Sequence, residues 1–376
     1  MKYLIVTVLI IMTLTQVQAK HSIELDVDNK TYKTQLMWPE ITIPWGMVIL
    51  PDGRMLATER AGTLLLLSEN KSAIKIAGLP DIHANGQGGL LDIALHPDFE
   101  KNHLIFFTFA SPEGKGRGSN TALMQAKLNI NKSRLTQQRV LYKGEFNTTD
   151  GEHYGSRIVI AENYIYFSIG DRGARDLNPQ DTALDGGKIY RLNLDGSIPV
   201  DNPFIKKANI KSAKAKAAIY SYGHRNPQGL IQFGNTGEIW SHEHGPKGGD
   251  EVNLIQAGKN YGWPVISYGV NYSNTKFTEL TEKEGMEQPK LYWVPSIAPS
   301  GMAFINSEKY PQWQGKVLLG SMKFNHLVLL EIVGGKVVKQ TKLLEDIGGR
   351  VRNIIQGSDG YIYIGVDGKG ILRLLP

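Results

Sequence analysis

Thirty-two residues from Tyr220 to Glu251 concentrate groups that can do chemistry. YSYGHRNPQGL opens the stretch, IQFGNTGEIW crosses as a short strand with a turn, and SHEHGPKGGDE closes it. Core strands alternate apolar with polar residues and keep charge out. Here three His, an Arg and an Asp-Glu pair sit at strand ends beside Gly and Pro, where scaffolds carry their sites. Cations and anions are mixed, so an anionic ligand and a bound cation could lie side by side.

The same signature recurs elsewhere. Gln87 stands in NGQGGLLD, His153 in EHYGSR, Asp171 in SIGDRG, Arg225 and Asn226 in GHRNPQG, Lys323 in GSMKFNH, and Arg350 and Arg352 in GGRVRN. Each lies near a glycine and a strand end. Arg225, Lys323, Arg350 and Arg352 are permanent cations. Gathered at one place they repel unless an anion sits among them; taken singly, each would form an ordinary surface ion pair. A lone His is more often a hydrogen-bonded structural residue, but His153 opens a blade at its axial end, with Asp171 in the same repeat copy able to orient its ring. His83, His96, His103 and His326 lack such company and read as structural. His242 and His244 share a strand face, but no third ligand accompanies them. Gly245 and Pro246 offer two consecutive carbonyls that can turn towards calcium, with Asp250 and Glu251 adding carboxylates nearby.

Elements able to bring these positions together are visible as a repeat. A turn, a β-rich run, a Gly-containing turn and a second β-rich run recur six times. The copies start at Pro51, His96, Glu162, Asn235, Trp313 and Ser358. A hairpin cannot bury both faces alone, and four-stranded units packed radially can. The expected fold is all-β: a six-bladed β-propeller with four-stranded blades. An early strand near residues 30–37 is expected to close the ring, with the last copy ending on an inner or middle strand. The competing arrangement is an irregular sandwich of similar hairpins. In a propeller, inner strands and connecting loops converge on the axis, and the site is expected there. Three segments interrupt the repeat. Residues 112–119 (PEGKGRGS) read as a hairpin tip, and the basic 196–218 stretch as a solvated loop or short surface helix. The long aromatic segment 260–300 reads as a roof over a site.

The chain has 376 residues, 41% hydrophobic and 21% charged, with 41 glycines, a globular composition rich in turns. The repeat makes residues 20–376 one domain. Residues 1–19 read as a cleavable signal peptide: Lys2, an apolar run from Leu4 to Leu14, and Val17-Gln18-Ala19 before the cut. The run is short of the ~20 residues that a membrane span needs. A periplasmic mature protein without a membrane span is therefore expected. Its net charge falls from +6 to +5 with the loss of Lys2, and no basic helix interleaved with aromatics marks a nucleic-acid partner. Cysteine is absent, which excludes disulfides and thiolate metal sites.

These motifs resemble those of the soluble PQQ-dependent glucose and aldose sugar dehydrogenases. PWGMVILPDGRMLATER, GQGGLLDIALHPDF, EHYGSR, SIGDRG, SYGHRNPQGL, HEHGPKGGDEVNLI, KNYGWPVISYG, PSIAPSGMAF and GRVRNIIQGSDG carry the resemblance from about Ile43 to the C-terminus. It implies a six-bladed propeller that oxidises aldoses with PQQ and calcium. His153 would be the general base, Asp171 its orienter, and Arg225 the group stabilising charge on the reduced quinone. Gln87, Asn226, Tyr272, Ser321, Lys323, Arg350 and Arg352 would hold the cofactor. The Gly245 and Pro246 carbonyls would bind the calcium at the cofactor, and Glu251 with the Tyr261 backbone oxygen a second, structural calcium. PQQ carries three carboxylates, which suits the cationic set. Glu152 departs from the Asp that the glucose enzymes carry, so glucose preference does not transfer. The electron acceptor is not specified. Two other readings use the same fold: a calcium-dependent lactonase, which needs axial carboxylate or Asn ligands and no cationic ring, and a non-catalytic glycan- or partner-binding propeller, which needs no His153–Asp171 pair.

Overall fold

The structure is a computed structural model that describes residues 25–27, 32–208, 215–234, 236–345 and 347–376. The expected signal peptide and six residues of the basic 196–218 stretch lie outside these. Six antiparallel sheets of four strands surround one axis. The inner strands are Pro44–Ile49, Leu90–Leu95, Ile158–Ala161, Pro227–Gln232, Pro299–Ile305 and Val351–Gln356, for blades 1 to 6. Each packs on the next, and the sixth packs back on the first. This is a six-bladed β-propeller. In every blade the recurring hairpin of the sequence forms the second and third strands, for example Met55–Glu59 with Thr63–Leu67 and Ile362–Val366 with Gly370–Leu374.

Closure comes from the N-terminal side. Thr34–Trp38 pairs antiparallel with Gly370–Leu374 and supplies the outer strand of blade 6. The C-terminal strand is thus a middle strand, and early and late chain share one sheet. Leu25–Val27 runs parallel to Gln340–Lys342 as a fifth strand on blade 5, which the repeat does not foreshadow. It covers an edge that would otherwise present unpaired backbone.

The core is divided among the six gaps between blades. Leu56, Phe107 and Phe109 fill the gap between blades 1 and 2, and Trp240, Trp293 and Leu330 that between blades 4 and 5. Met47, Met55, Tyr363 and Ile371 fill the closing gap between blades 6 and 1, capped by Trp38. The penultimate residue of the second strand links neighbouring blades. Thr58 donates its hydroxyl to the Leu91 carbonyl, Ser168 to that of Pro227, and His242 its Nε2–H to that of Gly301. Inner strands approach so closely that a Cβ on Gly46 would lie 2.8 Å from the Leu91 carbonyl oxygen. The connections between blades, and those between second and third strands, all lie at one end of the axis and carry the site.

Candidate active site

His153 lies in the loop that enters blade 3, and Asp171 in the loop after that blade's second strand. His153 Nδ1 is 2.6 Å from Asp171 Oδ1. The other Asp171 oxygen accepts the Trp263 indole N–H at 2.9 Å, and Oδ1 also accepts the Gly173 N–H. Burial pushes the Asp171 carboxyl up. The His153 hydrogen bond and charge, the Arg225 charge and the Gly173 N–H outweigh it and hold the group below its ordinary value. An ionised Asp171 fixes the Nδ1–H tautomer, leaving Nε2 as the proton acceptor. The His153 backbone N–H donates to Gln87 Oε1 at 3.0 Å. The residue adopts φ +52°, a conformation that L-residues hold only where surroundings enforce it.

His153 and Asp171 line a cleft of about 460 Å³ with Glu152, Arg175, Arg225, Pro246, Trp263 and Tyr272. Tyr272 also borders the axial cavity of about 330 Å³, lined by Trp45, Arg60, Gln87, Asn226, Arg350 and Arg352 among others. The 260–300 segment forms the roof: Trp263 and Tyr272 come from it, and Arg175 holds it by donating to Asn271 Oδ1 at 2.9 Å. Arg225 is buried beneath the roof, 5.4 Å from the Trp263 ring, and its Nη1 donates to the His244 carbonyl. Asn226 uses Oδ1 to accept from Gly155 N and Gln228 Nε2.

Around the axial cavity, Arg60 and Arg350 make no ion pair among the described residues. Burial lowers the Arg60 pKa, and the charges of Arg352 and Arg350 lower it further, against Asp367. Arg352 forms a bidentate pair with Asp367, at 3.0 and 2.5 Å. Cations facing a polar cavity with so little compensation fit a polyanionic ligand. Two of the expected cofactor residues do not line this cavity. Ser321 does not reach the cavity: its hydroxyl donates to the Ile297 carbonyl and accepts the Phe324 N–H, which shapes the following turn. Lys323 stands exposed beside that turn, while its neighbour Met322 lines the cavity.

Gly245 and Pro246 belong to the 244–249 loop. No donor among the described residues reaches the carbonyl of Gly245, Pro246 or Tyr261. A void of about 10 Å³, lined by Gly245, Glu243, Glu251 and Tyr261, lies behind Arg225. Glu243 and Glu251 face each other across adjacent strands. Burial and the Glu243 charge push Glu251 up to about 8. Asn253 Oδ1, buried beside them, has no partner. Unclaimed oxygens around two close carboxylates fit a hard cation. Among the described residues no three His, Asp or Glu side chains converge on a metal, so backbone oxygens would carry much of the shell. Asp250 is not available: its carboxylate accepts from Gly245 N, Ser296 Oγ, Ile297 N and Ala298 N. His242 and His244 donate to the Gly301 and Pro299 carbonyls, and burial holds both pKa values low.

Trp45, Arg60, Tyr154, Gln228 and Glu243 escaped the sequence reading. Arg60 carried a signal, since it directly follows the strand Met55–Glu59 in the first repeat copy, two residues before Gly62. Glu243 sat unread between two histidines.

The glucose/sorbosone dehydrogenase family model matches residues 41–374. Aldose sugar dehydrogenase YliI of Escherichia coli is 38% identical over 353 residues, covering 92% of this chain and 93% of that protein. The apo structure of the soluble aldose sugar dehydrogenase from Escherichia coli superposes with a TM-score of 0.87 at 38% identity, over 92% of this chain and all of that one. The PQQ-bound aldose sugar dehydrogenase of Streptomyces coelicolor gives 0.74 at 25% identity, over 92% of this chain and 98% of that one. The chain belongs to the glucose/sorbosone dehydrogenase family.

Proposed function

We propose that the protein is a periplasmic, PQQ- and calcium-dependent dehydrogenase that oxidises aldoses at the anomeric carbon to lactones, with His153 as general base. The observation that carries this reading is the buried His153–Asp171 pair in a cleft that opens beside a cavity lined by Arg352 and by Arg60 and Arg350, the last two without an ion pair among the described residues. His153 Nε2 takes the proton of the anomeric hydroxyl as the C1–H bond breaks. C1 loses two electrons and becomes the lactone carbonyl. Asp171 keeps the ring oriented and stabilises the imidazolium that forms. Arg225, held under Trp263, presents a cation where negative charge develops. Gln87 fixes the His153 backbone and, with Asn226, Tyr272, Arg60, Arg350 and Arg352, would hold the cofactor; Lys323 would reach it from the rim. PQQ, when bound, supplies the hydride acceptor. Calcium held by the Gly245 and Pro246 carbonyls would supply positive charge beside it, and a second ion near Glu251 and the Tyr261 carbonyl would be structural.

The electron acceptor would be external to the chain. The N-terminal pattern supports export, and no helix of the described residues is long and apolar enough to cross a membrane. A lactonase would place a divalent ion on the axis, where Arg60, Arg350 and Arg352 would oppose it.

Titration of the calcium-loaded protein with PQQ, followed by absorbance and then by a panel of aldoses, tests the proposal. Stoichiometric binding with sugar-dependent bleaching is expected. Failure to bind PQQ, or binding without reduction by any aldose, would overturn it.

A further inference from the structure

Behind the His153–Asp171 pair lies a second pair formed by the next residue of each loop. The Arg172 guanidinium carbon sits 3.5 Å from the centre of the Tyr154 ring. Both residues are buried, at 2% exposure each. Arg172 Nη2 donates to the Asp150 and Ser119 carbonyls, at 3.1 and 3.3 Å, and the Tyr154 hydroxyl meets Ser119 Oγ at 2.7 Å. Nε and Nη1 of Arg172 have no partner. Burial lowers the Arg172 pKa, and Tyr154 opposes that. His153 and Arg172 both hold positive φ, at +52° and +57°. Two strained loops are therefore joined twice, once on the cleft side and once on the core side.

A buried guanidinium with two idle nitrogens is costly, and Met or Gln would fill the space without a charge to desolvate. What the cation adds is a planar stack on Tyr154 and a clasp on the Asp150 carbonyl, three residues before His153. We propose that Arg172 is a positioning residue for the general base: by clamping Tyr154 and residue 150 it holds the His153 backbone where Nδ1 meets Asp171. This inference rests on His153 being the base. Arg172 itself lines neither the cleft nor the cavity, whereas Tyr154 borders the cavity, so Arg172 acts through Tyr154 and residue 150 rather than on substrate or cofactor.

The test uses Arg172→Met, Arg172→Lys and Tyr154→Leu in the full-length mature protein. In the calcium-loaded protein without PQQ, the Nδ1 proton of His153 should give a downfield proton resonance, assigned by its loss in His153→Ala. That signal should broaden or vanish in Arg172→Met. In PQQ-loaded Arg172→Met, kcat for the best aldose of the panel should fall about 10- to 100-fold while KM and PQQ affinity stay within about twofold. The primary isotope effect with C1-deuterated sugar should rise, because the step in which the C1–H bond breaks as His153 takes the hydroxyl proton becomes more fully rate-limiting. The double variant Arg172→Met/Tyr154→Leu should be no slower than the worse single one. If Arg172→Met does not fold, the Lys variant carries the test, since it keeps the charge without the planar stack. A folded variant that keeps the downfield resonance and a kcat within about twofold overturns the proposal, as does a loss explained wholly by weaker PQQ binding. Unimpaired turnover in His153→Ala would instead overturn the base assignment, leaving the resonance to report on Arg172.

Discussion

Arg157 and Asp92 form a buried ion pair on the propeller axis, with Nη1 3.1 Å from Oδ1. The guanidinium also donates to the carbonyls of Trp45, Gln228 and Arg352, and its carbon lies 4.0 Å from the Trp45 ring centre. Asp92 accepts the Ile158 N–H with its other oxygen. Five of the six blades thus meet at one side chain. Burial pushes the Asp92 carboxyl up, and the Arg157 charge opposes it.

Arg157→Met should cost about 3–5 kcal/mol, because it leaves the buried Asp92 carboxylate without its cation and removes a donor from three buried carbonyls. Urea unfolding of the apo-protein measures this. Adding Asp92→Asn should recover part of the loss by removing the unpaired charge. A single-variant loss below about 1 kcal/mol would mean that the pair does not brace the ring.

His242 makes the fold sensitive to acid. Burial holds its pKa at about 3, against about 6.5 when unfolded. Between these values the unfolded chain binds a proton that the native state refuses, so stability rises with pH from about 3 to 6.5. His242→Gln can keep a donor to the Gly301 carbonyl while removing the titration. Its acid unfolding midpoint should move to lower pH, with little change in the neutral melting temperature. An unchanged acid limb would assign the sensitivity to other groups.

The legible parts of the fold were those encoded within one hairpin. The six middle hairpins announced themselves because Gly turns and β-rich runs lie adjacent in sequence. The closing strand was anticipated at 30–37 and lies at Thr34–Trp38. The parallel strand Leu25–Val27 had no local mark, since its partner is more than 300 residues away. His153 and Asp171 were readable because each sits in a short Gly-flanked motif of one blade. Arg157 lies in the same EHYGSR motif, yet its partners Trp45, Gln228 and Arg352 come together only when the ring closes. Ser321 illustrates the opposite case: its neighbour Met322 lines the cavity, while its own hydroxyl accepts the Phe324 N–H in the following turn.

His153→Ala should abolish most turnover while leaving PQQ affinity nearly unchanged, because a general base contributes about 10²–10⁴ in rate and the cofactor is held mainly by cations. Asp171→Asn keeps the shape but loses the carboxylate that fixes the Nδ1–H tautomer. It should lower kcat more than it raises KM, with the Trp263 contact weakened as well. Steady-state kinetics beside a PQQ titration separate the two variants from simple cofactor loss.

Calcium removal should weaken PQQ binding and destabilise the protein, and the two effects should be separable. On the proposed reading, the Gly245 and Pro246 carbonyls are too few to hold calcium tightly alone, so ion and cofactor would complete one another's shell and each would raise the other's affinity equally. The second effect belongs to Glu251. Its folded pKa of about 8 exceeds the ordinary 4.5, so the native ion-free protein holds a proton that the unfolded chain has released. Stability of the ion-free form should therefore fall as pH rises from about 4.5 to 8, with the full cost present above that. Calcium bound here would neutralise the Glu243–Glu251 repulsion, so its gain in melting temperature should be larger at pH 8 than at pH 5. Glu251→Gln should remove both the pH slope and most of that gain, while PQQ affinity in excess calcium stays close to that of the parent. Melting curves across pH, with and without chelator, make the measurement. A slope and a calcium response that persist in Glu251→Gln would rule out this site as the structural one, and unchanged PQQ affinity in folded, calcium-free protein would rule out the Gly245–Pro246 carbonyls.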